Sequence, residues 1–184
     1  MRRTLNFRLP AIAMFVALSS SAQALPDAFG IGQFEFGGGL GYDFPLAQDD
    51  ADLGPSLHLR TRLGLSPRFA GEAIFGWTLN GDGEIPAGDA VEAPSLMTGH
   101  AAGVVRTGGL GFATLVRLGL GWTRLSLPND VESLNKFSWE VGVAVELPIG
   151  PVRTEIGPRF WVVDLGDNTR KHVELRLSGV IPLF

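Results

Sequence analysis

The sequence predicts an all-β fold, an eight-stranded antiparallel up-and-down barrel that crosses a membrane. Three observations predict it. Apolar and polar residues alternate with period two through eight segments, which is the side-chain period of a strand. The connections between segments alternate between tight turns and long polar loops. One face of nearly every segment is apolar and almost uncharged, with aromatic residues gathered at its ends, as in a wall that faces lipid between two interfaces.

The elements follow in order. In FEFGGGLGYDF, Phe34, Phe36, Gly38, Leu40, Tyr42 and Phe44 share one face, and Glu35, Gly37, Gly39, Gly41 and Asp43 the other. Leu57, Leu59, Thr61, Leu63 and Leu65 then alternate with His58, Arg60, Arg62 and Gly64, and Phe69, Ala73, Phe75, Trp77 and Leu79 with Ala70, Glu72, Gly76 and Thr78. The fourth segment, about 95–106, sets Met97, Ala101 and Val105 against Thr98, His100 and Arg106. In the fifth, Phe112, Val116, Leu118, Leu120 and Trp122 oppose Ala113, Arg117, Gly119, Gly121 and Thr123. The sixth sets Phe137, Trp139, Val141, Val143, Val145 and Leu147 against Ser138, Glu140, Gly142, Ala144 and Glu146. Val152, Ile156, Phe160 and Val162 oppose Arg153, Glu155, Gly157 and Arg159, and the last segment opposes Val173, Leu175 and Leu177 to Glu174, Arg176 and Ser178. Each is close to the roughly ten residues that cross a bilayer at a tilt.

Three connections are tight: SPR (66–68), TGG (107–109) and PIGP (148–151). The others are long and polar, and short turns on one side with long loops on the other predict periplasmic turns and extracellular loops. Residues 1–24 read as a cleaved signal peptide: Arg2, Arg3 and Arg8, then the short apolar run AIAMFVAL, then AQA ending at Ala24. Residues 25–32 form a short periplasmic segment and 33–184 the barrel, with both barrel ends in the periplasm. Without the leader arginines, 12 basic residues face 19 acidic ones, a formal charge of −7, which argues against a nucleic-acid partner. The sequence has no cysteine, so disulfides, thiolate metal sites and thiol nucleophiles are excluded.

Taken together, the leader, the eight alternating segments, the rhythm of turns and loops and the terminal Phe184 resemble the small bacterial outer-membrane proteins of the OmpA/OmpX type. The resemblance is architectural and spans the mature chain. It implies that Phe184 is part of the signal read by the barrel-assembly machinery. Two residues strain the pattern. The last segment changes parity, with Val180, Pro182 and Phe184 on even numbers, which predicts a bulge near Ser178–Gly179. Pro158 falls mid-strand on the lipid face and donates no N–H, which predicts a bulge or a strand end there.

Eight strands enclose a lumen that side chains fill. The inward set holds Glu35, Glu72, Glu140, Glu146, Glu155 and Glu174 against Arg60, Arg62, Arg106, Arg117, Arg153, Arg159 and Arg176. Buried charges must pair, so a plugged, salt-bridged interior is expected. The glycines of the first strand are expected to make room for Arg60 and Arg62. They are not a phosphate loop: after Gly39 and Gly41 the third GxGxxG position falls on Phe44, and no helix follows.

Little in the sequence points to catalysis. His58, His100 and His172 lack HExxH-type spacing, so no zinc site is expected, and no cofactor. Some outer-membrane barrels are lipid A-modifying esterases, one family of which carries a His-x-Ser pair on a strand. Ser56-Leu57-His58 resembles it in reverse order, with Asp43 on the neighbouring strand, and that resemblance implies an alternative reading as a lipid A-modifying esterase. NGDGE (80–84) lacks the glycine and bidentate acid of a calcium loop, at Ile85 and Val91. Asp49, Asp50, Asp52, Asp82, Glu84, Asp89, Glu92, Asp130, Glu132 and Asp167 make the loops acidic, whereas Arg124, Lys136, Arg170 and Lys171 sit at loop–strand boundaries. These cations are expected to contact phosphates of lipopolysaccharide, with divalent ions bridging the acidic loops to it. The expected function is a non-enzymatic outer-membrane protein with an envelope-structural or surface-binding role. A narrow small-solute channel is the other alternative.

Overall fold

The computed structural model describes residues 29–46, 54–79, 83–84, 90–91, 95–109, 112–126, 134–164 and 169–183. The leader, most of the acidic loop residues and Phe184 lie outside them. Eight long strands close into a barrel: β1 (Phe34–Leu46), β2 (Gly54–Ser66), β3 (Phe69–Leu79), β6 (Ser95–Gly109), β7 (Phe112–Ser126), β8 (Leu134–Ile149), β9 (Val152–Asp164) and β10 (Thr169–Pro182). A two-residue pair, β4 (Gly83–Glu84) with β5 (Ala90–Val91), lies in the loop between β3 and β6. Every barrel strand pairs antiparallel with its neighbours in the chain, and β1 pairs with β10 to close the wall.

The register fixes the shape. From Leu46 the rungs run once round the barrel through Lys171, Val162, Trp139, Leu120, Ala101, Ala73 and Thr61 to Phe36, ten residues away on the strand where they began. With a rise of ~3.3 Å per residue and ~4.8 Å between strands, that stagger tilts the strands by about 41° and sets the backbone wall about 8 Å from the axis. Such a bore is filled by side chains.

The predicted faces hold. Leu40, Leu57, Leu59, Phe75, Leu118, Leu120, Val143, Leu175 and Leu177 point outward and are exposed, while the alternate positions are buried in the lumen. Phe36, Phe69 and Phe112 are exposed at the short-turn end and Tyr42, Trp77, Trp122 and Phe137 at the long-loop end. The sequence has four tryptophans, and the fourth, Trp161, faces the lumen and is fully buried. Gly150, at φ 62°, takes the left-handed turn position of PIGP that a side chain would strain.

Three expectations are corrected. The register of β10 is continuous on both sides through Ser178 and Gly179, so there is no bulge. Val180 is instead a lumen residue, fully buried, and Ile181 carries on the lipid face at 42% exposed. The one register shift falls between Gly64 and Ser66, beside the first turn. Pro158 causes neither a bulge nor a strand end: it pairs with Leu175 on one side, and on the other β8 and β9 resume in unchanged register after a gap between Gly142–Arg159 and Val145–Ile156. Finally, the first-strand glycines answer to the backbone more than to arginines. A Cβ at Gly37 or Gly39 would run into the β10 backbone at Val180 or Ser178, at 2.9 and 2.6 Å. Only Gly41 faces side chains alone at closest approach, Ser56 and Glu174.

Candidate functional site

Because inward positions recur every second residue on eight tilted strands, the lumen brings together residues far apart in sequence. Near the short-turn end, Glu155 accepts from Arg60 Nη1 at 2.6 Å, from Arg62 Nη2 at 2.8 Å and from Arg117 Nη2. Glu72 accepts from Arg62 Nε at 2.8 Å and Arg117 Nε at 2.9 Å, with Arg60 at 3.6 Å. Glu35 joins Arg62 at 3.2 Å to Arg153 at 3.3 Å, and Arg106 meets Glu146 at 3.0 Å. Nearer the long-loop end, Arg159 donates to Glu140 and, at 3.1 Å, to Glu174, which also accepts from Arg176 at 2.9 Å and from Ser56. All thirteen predicted lumen charges face inward, and they form two linked clusters rather than isolated pairs.

Two features were not anticipated. Asp43 is fully buried and accepts from His172 Nδ1 at 2.7 Å, and His172 stacks on Trp161 with centroids 4.2 Å apart. It supplies a seventh lumen acid to set against the seven arginines. Apolar residues also fill the lumen, beyond the charges at the loop end and among them at the turn end, where Arg106 and Glu146 lie two residues nearer the turns than Val104 and Ala144. Leu96, Leu125, Trp161 and Val163 form one buried cluster at the loop end. Phe29, Ala70, Val104, Leu115 and Ala144 form the other at the turn end. Leu96, Leu115, Leu125 and Val163 are legible in the sequence as apolar residues at lumen parity, the signal that reading the lumen for charge alone passes over.

Phe29 reaches the lumen because the chain before β1 hooks back under β2. Its N–H bonds to Pro67 O at 3.2 Å, and Gly32 N and Gln33 O bond to the backbone of Gly64 at 2.8 and 2.9 Å. The guanidinium groups of Arg62 and Arg153 lie 5.3 and 6.0 Å from the Phe29 ring, within cation–π range.

The geometry gives Ser56 and His58 different surroundings. Ser56 donates to Glu174, Asp43 is held by His172, and neither ring nitrogen of the buried His58 has a hydrogen-bond partner in the protein. A second serine–histidine contact exists at Ser138 Oγ and His100 Nε2, 2.8 Å apart. Arg159 Nη2 lies 2.9 Å from His100 Nδ1 and can only donate, so in the neutral ring Nε2 carries the proton and points it at Ser138. A protonated nitrogen cannot take the serine's proton, so this arrangement is a polar bridge rather than a base and nucleophile. Among the described residues no group of histidines and acids has metal-binding geometry.

The boundary cations divide. Arg124 and Lys171 are exposed on the outward face, two residues beyond Trp122 and beside Val162 respectively. Lys136 and Arg170 have lumen parity at the rim: Lys136 pairs with Thr123, and Arg170 is two residues from His172. The acidic loop residues that would flank them lie outside the described residues, apart from Glu84 on β4.

No protein-family model and no curated protein matches the chain. Solved structures do. Neisserial surface protein A aligns at TM-score 0.67 and 10% identity, covering 82% of this chain and 97% of that one. OprG from Pseudomonas aeruginosa aligns at 0.56 and 11%, covering 84% and 95%. Ail, the attachment invasion locus protein of Yersinia pestis, aligns at 0.52 and 16%, covering 84% and 100%. At these identities the likeness is one of fold, and it agrees with the closed wall, its apolar exterior and its filled bore: the chain has the architecture of the small eight-stranded outer-membrane β-barrels, of the OmpA/OmpX type.

Proposed function

We propose that this chain is an integral outer-membrane protein whose barrel is a sealed, non-enzymatic anchor for its extracellular loops. The observation that carries this reading is the lumen: seven arginines meet six glutamates there, Asp43 is held by His172, and two apolar clusters fill the space beside them. A leader cleaved after Ala24 would deliver the chain to the periplasm. Recognition of Phe184 by the barrel-assembly machinery would insert it, with the turns periplasmic and the acidic loops outside. On fractionation the protein is expected in the outer membrane, with unheated and boiled samples migrating differently on a denaturing gel. Recovery in the soluble fraction, or a single mobility, would sink the proposal.

Lipid contact belongs to the same reading. Arg124 and Lys171 face outward near the loop-end aromatics, the depth at which lipopolysaccharide phosphates lie. Lys136 and Arg170 would contribute from the rim, and the acidic loops through bridging divalent ions. The double substitution Arg124→Ala, Lys171→Ala is expected to lower the lipopolysaccharide that co-purifies with the barrel. Lipid A mass spectra are expected to be identical with and without the protein. Unchanged co-purification refutes the contacts, and altered lipid A refutes the non-enzymatic role.

A further inference from the structure

The two rungs missing at Pro158 coincide with a cavity behind the wall. At four places the atom nearest to a Cβ built on a lumen-facing glycine would be a carbonyl oxygen of the adjacent strand: Gly37 with Gly179, Gly39 with Leu177, Gly121 with Gly99, and Gly157 with Val143. In the first three, the residue after the glycine pairs with the owner of that carbonyl: Gly38 with Gly179, Leu40 with Leu177 and Trp122 with Gly99. In the fourth, the residue after Gly157 is Pro158, and the rungs to Val143 and Ala144 are missing. Both rungs depend on hydrogen bonds exchanged between Val143 and Pro158, so one absent N–H removes two of them. The Val143 carbonyl is left without its ladder donor in the middle of a strand pair that faces lipid, where such a group finds no solvent.

Val143, Gly142, Gly157 and Pro158 line a cavity that also meets Arg60 and Glu140. It has about 20 Å³ of space for the centres of water molecules, enough for one or two. Arg60 is buried, and its Nε and Nη2 have no partner in the protein, and neither does Glu140 Oε1. The site therefore gathers unspent donors and unspent acceptors around a polar space of water's size.

We propose that this cavity is a structural water site: one or two buried waters replace the missing rung, donating to the Val143 carbonyl and accepting from Arg60. Water fits better than an anion because the walls present acceptors as well as donors. The glycines at 142 and 157 keep the space open, and Pro158 creates the need for it.

A crystal structure of the mature protein at a resolution that shows ordered solvent tests this directly. Density is expected within about 3.2 Å of both Val143 O and a nitrogen of Arg60. A dry cavity, with Arg60 turned onto Glu140, overturns the proposal. So does an anomalous peak at the site in bromide-grown crystals, which would make it a monovalent-anion site. Independently, Pro158→Val restores the donor, and in micelles the new amide at 158 is expected to exchange as slowly as that of Phe160, which faces Val141 in the same ladder. Fast exchange of that amide in the folded variant would mean that the Val143 carbonyl is not waiting for this donor and would overturn the proposal.

Discussion

Glu72 and Glu155 are each approached by the same three guanidinium groups, of Arg60, Arg62 and Arg117. The three arginines come from two strands, and Glu155 lies 95 residues from Arg60, so the cluster ties opposite walls together. Loss of one carboxylate here leaves charge uncompensated in a space that water does not reach freely, which costs about 3–5 kcal/mol. Glu155→Gln is therefore expected to lower the urea midpoint for loss of the heat-modifiable form. The double variant Glu155→Gln, Arg60→Met should recover part of that loss, because it removes a stranded charge along with its partner. A single variant as stable as the parent would mean that the cluster contributes nothing to folding.

At the scale of elements, each strand's two faces were legible from period-two alternation alone, and so were the three short turns. The hook before β1 was not. Residues 25–32 read as a short periplasmic segment, and no alternation there shows that Phe29 should leave solvent. It does so because closing the barrel creates an apolar socket from Ala70 on β3, Val104 on β6, Leu115 on β7 and Ala144 on β8, with Arg62 and Arg153 flanking the ring. The hook is thus a stopper for the turn end. The native chain has no cysteine, so Ala144→Cys gives a single reporter in that socket. Its labelling by a small thiol reagent is expected to be slow, and to rise by roughly tenfold or more when Phe29→Ala is added. Equal rates would show that Phe29 does not close that end.

For the whole molecule, a backbone radius of about 8 Å leaves little bore once seven arginines and seven acids occupy it. Leu96, Leu125, Trp161 and Val163 then cap the loop end, and Phe29 with its neighbours caps the turn end. An ion crossing this path would have to displace both caps and break buried pairs. In planar bilayers the purified protein is expected to give no current above the lipid background, and stable single-channel steps would return the narrow-channel reading to first place.

The sequence by itself determined the strand count, the inward and outward faces, the aromatic belts and the identity of the thirteen lumen charges. All of these are consequences of a period of two within single strands, a local property that survives without knowledge of neighbours. The tertiary structure alone decided which acid meets which arginine, that Asp43 pairs with His172 rather than joining Ser56 and His58, that Val180 turns inward, and that Pro158 removes two rungs without a bulge. Those outcomes depend on a stagger of ten residues around a closed wall, which sets residues from distant strands at one height in the lumen. Alternation assigns a side chain to a face, but only closure gives it partners.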